Sequence, residues 1–143
     1  MRPLYFLGLF LLLLPFTTLA QQQIPERIQV KFRAKFPEAT QEKWMPEGKN
    51  YQVDFTEKGL PNRARFSSNG QWLQTQTTLK QNQWPKLSRK YTDDNHSDSR
   101  YLEGYRYDSP QGSHYQMIVE NKSGRYKLDF DGEGGFVNEE PAN

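Results

Sequence analysis

Two hydrophobic periods run along this chain. Between Pro25 and Pro37 the period is helical: Ile28, Phe32 and Phe36 recur at i, i+4 and i+8, with Val30 and Ala34 beside the stripe. Arg27, Lys31, Arg33 and Lys35 fall on the wet side. Pro37 ends the helix, because the residue before a proline disfavours helical angles. From Trp44 onward the period drops to two. Tyr51, Val53 and Phe55 point one way and Gln52 and Asp54 the other; Ala64 and Phe66 point in, Arg63 and Arg65 out. Ser68-Asn69-Gly70 predicts a hairpin turn, since Asn-Gly accepts the positive φ angles that a tight turn needs. Trp72 opens the next strand, continued by Gln74, Gln76 and Thr78. Alternation of this kind describes an antiparallel sheet with one dry and one wet face.

The second half reads in a similar order. Trp84-Pro85 opens a second helix, with Leu87 and Tyr91 four apart, and the polar stretch from Thr92 to Ser99 reads as a loop. Tyr101, Tyr105 and Tyr107 mark a strand; Tyr115, Met117 and Val119 alternate, as do Tyr126, Leu128 and Phe130. Asp131 to Gly135 makes a turn, Phe136 begins a short last strand, and the tail from Asn138 is expected to fray. At a fixed offset Tyr51 aligns with Tyr115, Phe66 with Phe130 and Trp72 with Phe136. These matches predict an internal duplication, with repeats at about 24–78 and 79–137. The expected class is α+β: a tandem repeat of a helix followed by antiparallel strands, the helices packed on one face of the sheet.

Several of these residues also carry a family resemblance. The run Phe36-Pro37-Glu38-Ala39, then Trp44, Tyr51-Gln52-Val53-Asp54-Phe55 and Phe66-Ser67-Ser68-Asn69-Gly70-Gln71-Trp72 resembles the PepSY-like, beta-lactamase-inhibitor-like family of periplasmic proteins. Tyr115-Gln116-Met117 and Leu128-Asp129-Phe130-Asp131-Gly132 extend the resemblance to about Val137. It implies helices on one face of an antiparallel sheet whose other face is open to a partner protein. It also implies a bacterial envelope or exported location, and carries over no residue motif for inhibition.

The first twenty residues change the picture of where the chain works. Met1-Arg2-Pro3, an apolar run from Leu4 to Phe16 and Thr18-Leu19-Ala20 before Gln21 have the three parts of a secretory signal. The run falls short of the about 20 apolar residues that a membrane span needs. The reading is a signal peptide over 1–20 and one domain over 21–143, periplasmic or secreted, with no stable membrane anchor after cleavage. Without Arg2, 18 of the 19 basic residues remain against 17 acidic ones, so no strong field is expected to draw in nucleic acid. The chain has no cysteine. The core alone must hold the fold, and thiol chemistry and cysteine-ligated metals are excluded.

The candidate chemistry is sparse. His96 sits in Asp93-Asp94-Asn95-His96-Ser97-Asp98, read as solvated loop, and His114 begins a strand. Asp129, Asp131 and Glu133 hint at a calcium loop, but the hairpin turn accounts for them better. No Gly-x-Ser-x-Gly, phosphate-cradling glycine loop or placed pair of carboxylates is present. The reading therefore assigns no catalytic residue, no metal and no cofactor. The richest feature is aromatic: three Trp, eight Tyr and nine Phe, most of them at inward positions. Tyr101, Tyr105 and Tyr107, with Arg100 and Arg106, exceed what a small core needs, and Tyr and Arg carry binding hot spots. With Arg63, Arg65, Trp72 and Gln74 they form the candidate contact surface. The expected role is a non-enzymatic binding or inhibitory module whose open sheet face meets an envelope or secreted protein. A small-molecule or metal-ion sensor is the alternative, and the oligomeric state stays open.

Overall fold

The structure, a computed structural model, describes residues 23–142; the expected signal peptide lies outside them. The order of elements is α1 (Glu26–Lys35), β1 (Thr40–Glu47), β2 (Asn50–Glu57), β3 (Leu60–Phe66), β4 (Trp72–Thr78), α2 (Lys86–Asn95), β5 (Arg100–Ser109), β6 (Gly112–Asn121), β7 (Gly124–Phe130) and β8 (Phe136–Pro141). All eight strands join one antiparallel sheet in strict chain order. Among the described residues no helix is long and apolar enough to cross a membrane.

This architecture corrects the expected class. The chain does not build an α+β tandem repeat of helix-then-strands units; it builds one continuous eight-stranded meander carrying two ten-residue helices. Across the expected boundary between repeats, β4 pairs with β5 from Thr75↔Asp108 to Thr78↔Tyr105. Period-2 alternation is a local signal. It records which residues are dry, not which strand lies beside which.

Registered partners in an antiparallel sheet share a face. One line of partners runs Val53↔Ala64↔Thr75↔Asp108↔Ser113, and Gly104↔Met117↔Leu128 lies on the same side. Both helices cover this face. Under α1, Ile28, Phe32 and Phe36 pack on Val53, Phe55, Ala64 and Phe66. The second cluster joins Trp84 to Met117, Val119, Leu128 and Phe130, with Tyr91 of α2 packed against it. No residue belongs to both clusters: the sheet is continuous but its core is not.

The second helix differs from its predicted form. It runs through Thr92 to Asn95, where the sequence reads as loop, and its buried residues are Ser88 and Thr92, whereas Leu87 is 55% exposed. The Thr92 hydroxyl donates to the Ser88 carbonyl (2.9 Å), so these polar residues carry their partners into the core. Ser88 is small because the β7–β8 turn presses on it. A Cβ on Gly134 (φ +90) would lie 2.5 Å from Pro85 Cβ and 2.8 Å from Ser88 Oγ. The expected frayed tail is strand: Asn138 to Pro141 pair with Asp129 to Tyr126. His96 is likewise not a solvated loop residue. It ends α2, is buried and places Nε2 3.1 Å from the Glu139 carboxylate, tying the helix to β8.

Candidate functional site

The face opposite the helices carries a different set of side chains, arranged in cross-strand rows. One row runs Lys43↔Asp54↔Arg63↔Gln76↔Tyr107↔His114 across six strands. The next runs Thr78↔Tyr105↔Gln116↔Asp129↔Asn138 across five. Several of these residues are one step out of phase with a buried neighbour, which puts them on the wet face. Asp54 lies between Val53 and Phe55, Arg63 beside Ala64, and Gln116 beside Met117.

Most charges of this face lie toward its two ends and pair with one another, whereas Lys43, Glu103 and Asp129 make no ion pair among the described residues. Toward one end, Arg63 forks onto Asp54 (2.8 and 3.0 Å) and Arg65 reaches Glu47 (2.7 Å). Toward the other, Lys127 pairs with Glu140, and Glu120 accepts from both Arg100 (2.5 Å) and Arg125 (2.8 Å). The Arg63 hydrogen bonds hold the Asp54 carboxyl below its ordinary value, against a smaller opposing effect of burial. This folded value lies below the unfolded one, so the pair contributes stability above the unfolded carboxylate range. That contribution is lost as the pH falls through the depressed value.

Between the flanks lies a lane of aromatic rings and amides, bordered by the Glu103 and Asp129 carboxylates. Tyr107 stacks on His114 (centroids 4.8 Å apart, planes 11° apart), and Tyr105 stands 6.2 Å from Tyr107. The Tyr105 hydroxyl donates to Glu103 (2.5 Å), and the Gln116 amide donates to Asp129 (3.0 Å). Burial, and then the bond to Glu103, push the Tyr105 phenol up to about 12. Tyr105 contributes stability below the unfolded value of 10.0 that is lost as the pH rises through about 12. A titration followed by NMR of 13Cζ-labelled tyrosine is expected to show a signal still protonated well above the ordinary phenol range, absent in Tyr105→Phe. Ionisation of every tyrosine together near the ordinary value would count against this packing.

The nine candidate contact residues divide between the two faces. Arg63, Arg65, Gln74, Arg100, Tyr105 and Tyr107 stand on the open face, through pairings such as Arg65↔Gln74 and Arg100↔Glu120. Trp72, Tyr101 and Arg106 stand on the helix side, where their partners are Phe66, Val119 and Tyr115. Trp72 packs against the first core cluster, with the Lys35 ammonium 3.6 Å above its ring. Tyr101 packs against the second and donates to Asp93 of α2 (3.3 Å). Arg106 pairs with Asp108 at 2.9 Å. The sequence reading puts Gln76 and Gln116 on the outward face by alternation but leaves them, and His114, out of the named contact set; register sets all three into the rows.

The two features that suggested an ion sensor have other duties. Asp131 Oδ1 accepts the backbone N–H groups of Glu133 (2.9 Å) and Gly135 (2.8 Å), so the acid shapes its own turn. His96 is bonded to Glu139. Among the described residues no cluster of three or more His, Asp or Glu side chains is arranged to hold a metal ion.

A family model described as "Putative beta-lactamase-inhibitor-like, PepSY-like" matches residues 49–138. Among solved structures, a BLIP-like protein from Bacteroides fragilis is similar at a TM-score of 0.75 and 23% identity, over 85% of this chain and 89% of its own. A protein from Bacteroides eggerthii described as a "putative periplasmic" protein is similar at a TM-score of 0.73 and 18% identity, over 83% and 89%. At these identities the likeness is one of fold. Among curated proteins none matches the sequence.

Proposed function

The chain belongs to the PepSY-like, beta-lactamase-inhibitor-like family, and from that premise we propose that it is a non-enzymatic binding or inhibitory module of the bacterial envelope. It grips a protein partner with the open face of its sheet. The observation that carries this reading is the lane of Tyr105, Tyr107, His114, Gln76 and Gln116, with ion pairs toward both of its ends. Interface centres are depleted in charge and enriched in tyrosine, while their rims are polar and wet. The lane and its flanks have that anatomy before any partner is present. A rigid sheet holds the rings, so little ordering entropy is lost on binding. The export pattern at the N-terminus and the periplasmic description of a similar fold support a location outside the cytoplasm.

The test is a capture from periplasmic and secreted fractions, followed by affinity measurement on the identified partner. A beta-lactamase is the first partner to try, since the family description names that inhibitor class. Replacing Tyr105 and Tyr107 together by Ala is expected to weaken binding at least about 100-fold, the loss of two hot-spot side chains. Leu87→Ala, exposed on the helix side, should leave affinity unchanged. Wild-type affinity in the double tyrosine variant would sink the reading.

A further inference from the structure

A depression of 430 Å³ in the open face lies at the end of the lane, over β1 to β4. Lys43, Asp54, Arg63, Gln76 and Gln41 line it, and Tyr105 forms its wall. Its hydrogen-bonding groups are unevenly spent. Both oxygens of Asp54 are taken, by the Arg63 fork and by the Gln52 amide (3.3 Å). The Gln41 carbonyl accepts from the Thr56 hydroxyl (3.0 Å). The acceptors are thus largely consumed. The donors are not. An Arg has five N–H groups, and the bond to Asp54 uses only part of that fork. Among the described residues Lys43 makes no ion pair, and the Gln41 NH2 group remains to donate. With Asp54 neutralised by Arg63, Lys43 leaves the depression with an excess positive charge. Asp54 also stays ionised and fixed, because its carboxyl sits below its ordinary value.

We infer that this depression receives a carboxylate, the side chain of an Asp or Glu on the protein partner, held between the Lys43 ammonium and the unspent N–H groups of Arg63. An anion is the ligand that accepts from several donors while offering none, and carboxylate geometry fits the guanidinium fork. The inference rests on the open-face reading and adds a charged anchor at one end of the lane. The acid gives register along the lane, because Lys43 stands at one end of it.

NMR titration of the 15N-labelled protein tests it with N-acetylglutamate amide, its neutral isostere N-acetylglutamine amide, and inorganic phosphate. The carboxylate is expected to shift the Arg63 Nη–H signals and the Gln76 and Gln41 side-chain amides saturably. The isostere should leave them unmoved, and Lys43→Gln should weaken the carboxylate at least about fivefold, as loss of a charge-assisted bond requires. Equal shifts from acid and isostere, or saturation by phosphate alone, would overturn the inference. Affinity for the captured partner separates the two readings. Lys43→Glu is expected to cost at least about tenfold. If Lys43→Glu has no effect while the double tyrosine variant abolishes binding, the anchor is wrong and the open face stands. If neither variant matters, both fail.

Discussion

Gly104→Ala is expected to destabilise the protein by about 3 kcal/mol or more, the upper end of what over-packing a core costs. Gly104 lies inside β5 on the helix side, paired with Met117. The indole of Trp84, itself only 4% exposed, fills the space where a side chain would stand. A Cβ at residue 104 would fall 1.7 Å from Trp84 Cζ2 and 2.4 Å from Cε2. No rotation of a flexible chain end can relieve this, because the obstructing atoms belong to a rigid ring wedged in the second core cluster. A strand glycine of this kind marks a close approach rather than a need for flexibility. Urea unfolding should show a lower midpoint with an unchanged slope. Trp84→Ala alone should cost about 3–5 kcal/mol, and in that background adding Gly104→Ala should cost almost nothing, a large favourable coupling. A single Gly104→Ala variant of wild-type stability would show that the indole does not occupy this site.

The same segment shows where alternation fails as a guide. Tyr101 and Tyr105 are four residues apart, and a regular strand would place them on one face. A bulge between Tyr101 and Glu103 moves the phase by one, so Tyr101 joins the core and Tyr105 the open face. Another irregularity between Phe66 and Arg65 separates Trp72 from Gln74, two residues on. The sequence reading groups Arg100 to Tyr107 as a single contact surface because an extra residue leaves no mark in composition. The regular stretches were legible, and for a clear reason. Val53 with Phe55, Ala64 with Phe66 and Met117 with Val119 are strict inward pairs, and all are buried.

The helices were legible in proportion to how apolar their buried stripes are. In α1, Ile28 and Phe32 announce the inward side. In α2 the inward side is Ser88 and Thr92, whose burial depends on bonds to Gly134 and to the helix itself. A hydrophobic pattern cannot report such residues, so the sequence favours Leu87, which faces water. His96 escapes for a related reason: its partner Glu139 is distant in sequence and on the far edge strand. The open face is easier to locate than to interpret. Its polar residues follow from the buried ones by alternation, but the lane exists only after register sets Tyr107 against His114 and Gln76.

Phe32→Ala should be the most damaging truncation in the first cluster, costing about 3–5 kcal/mol. The ring is fully buried, and four aromatic neighbours surround it: Phe55 at 5.0 Å, Trp44 at 5.2 Å, Phe36 at 5.4 Å and Phe66 at 6.2 Å. Three of these contacts are edge-to-face, so the loss includes aromatic pairing as well as buried area. Rigid rings from α1, β1, β2 and β3 cannot collapse together into the space left behind. Phe32→Leu keeps much of the volume and should cost markedly less. The location of the damage is as informative as its size. The two clusters share no residue, and the helix-side line between them passes through Thr75, Asp108 and Ser113 rather than through apolar side chains. Hydrogen exchange in Phe32→Ala is therefore expected to accelerate most in β2 and β3, while β6 and β7 amides keep nearly their wild-type protection. An equal loss of protection in all four strands would mean that pairing between β4 and β5 alone fuses the halves into one cooperative unit. In that case Phe32→Ala and Gly104→Ala would still be about additive in free energy, being distant sites, but each would weaken the whole sheet. Retained protection in β6 and β7 would instead place the division of stability in the core, beneath a sheet that is unbroken.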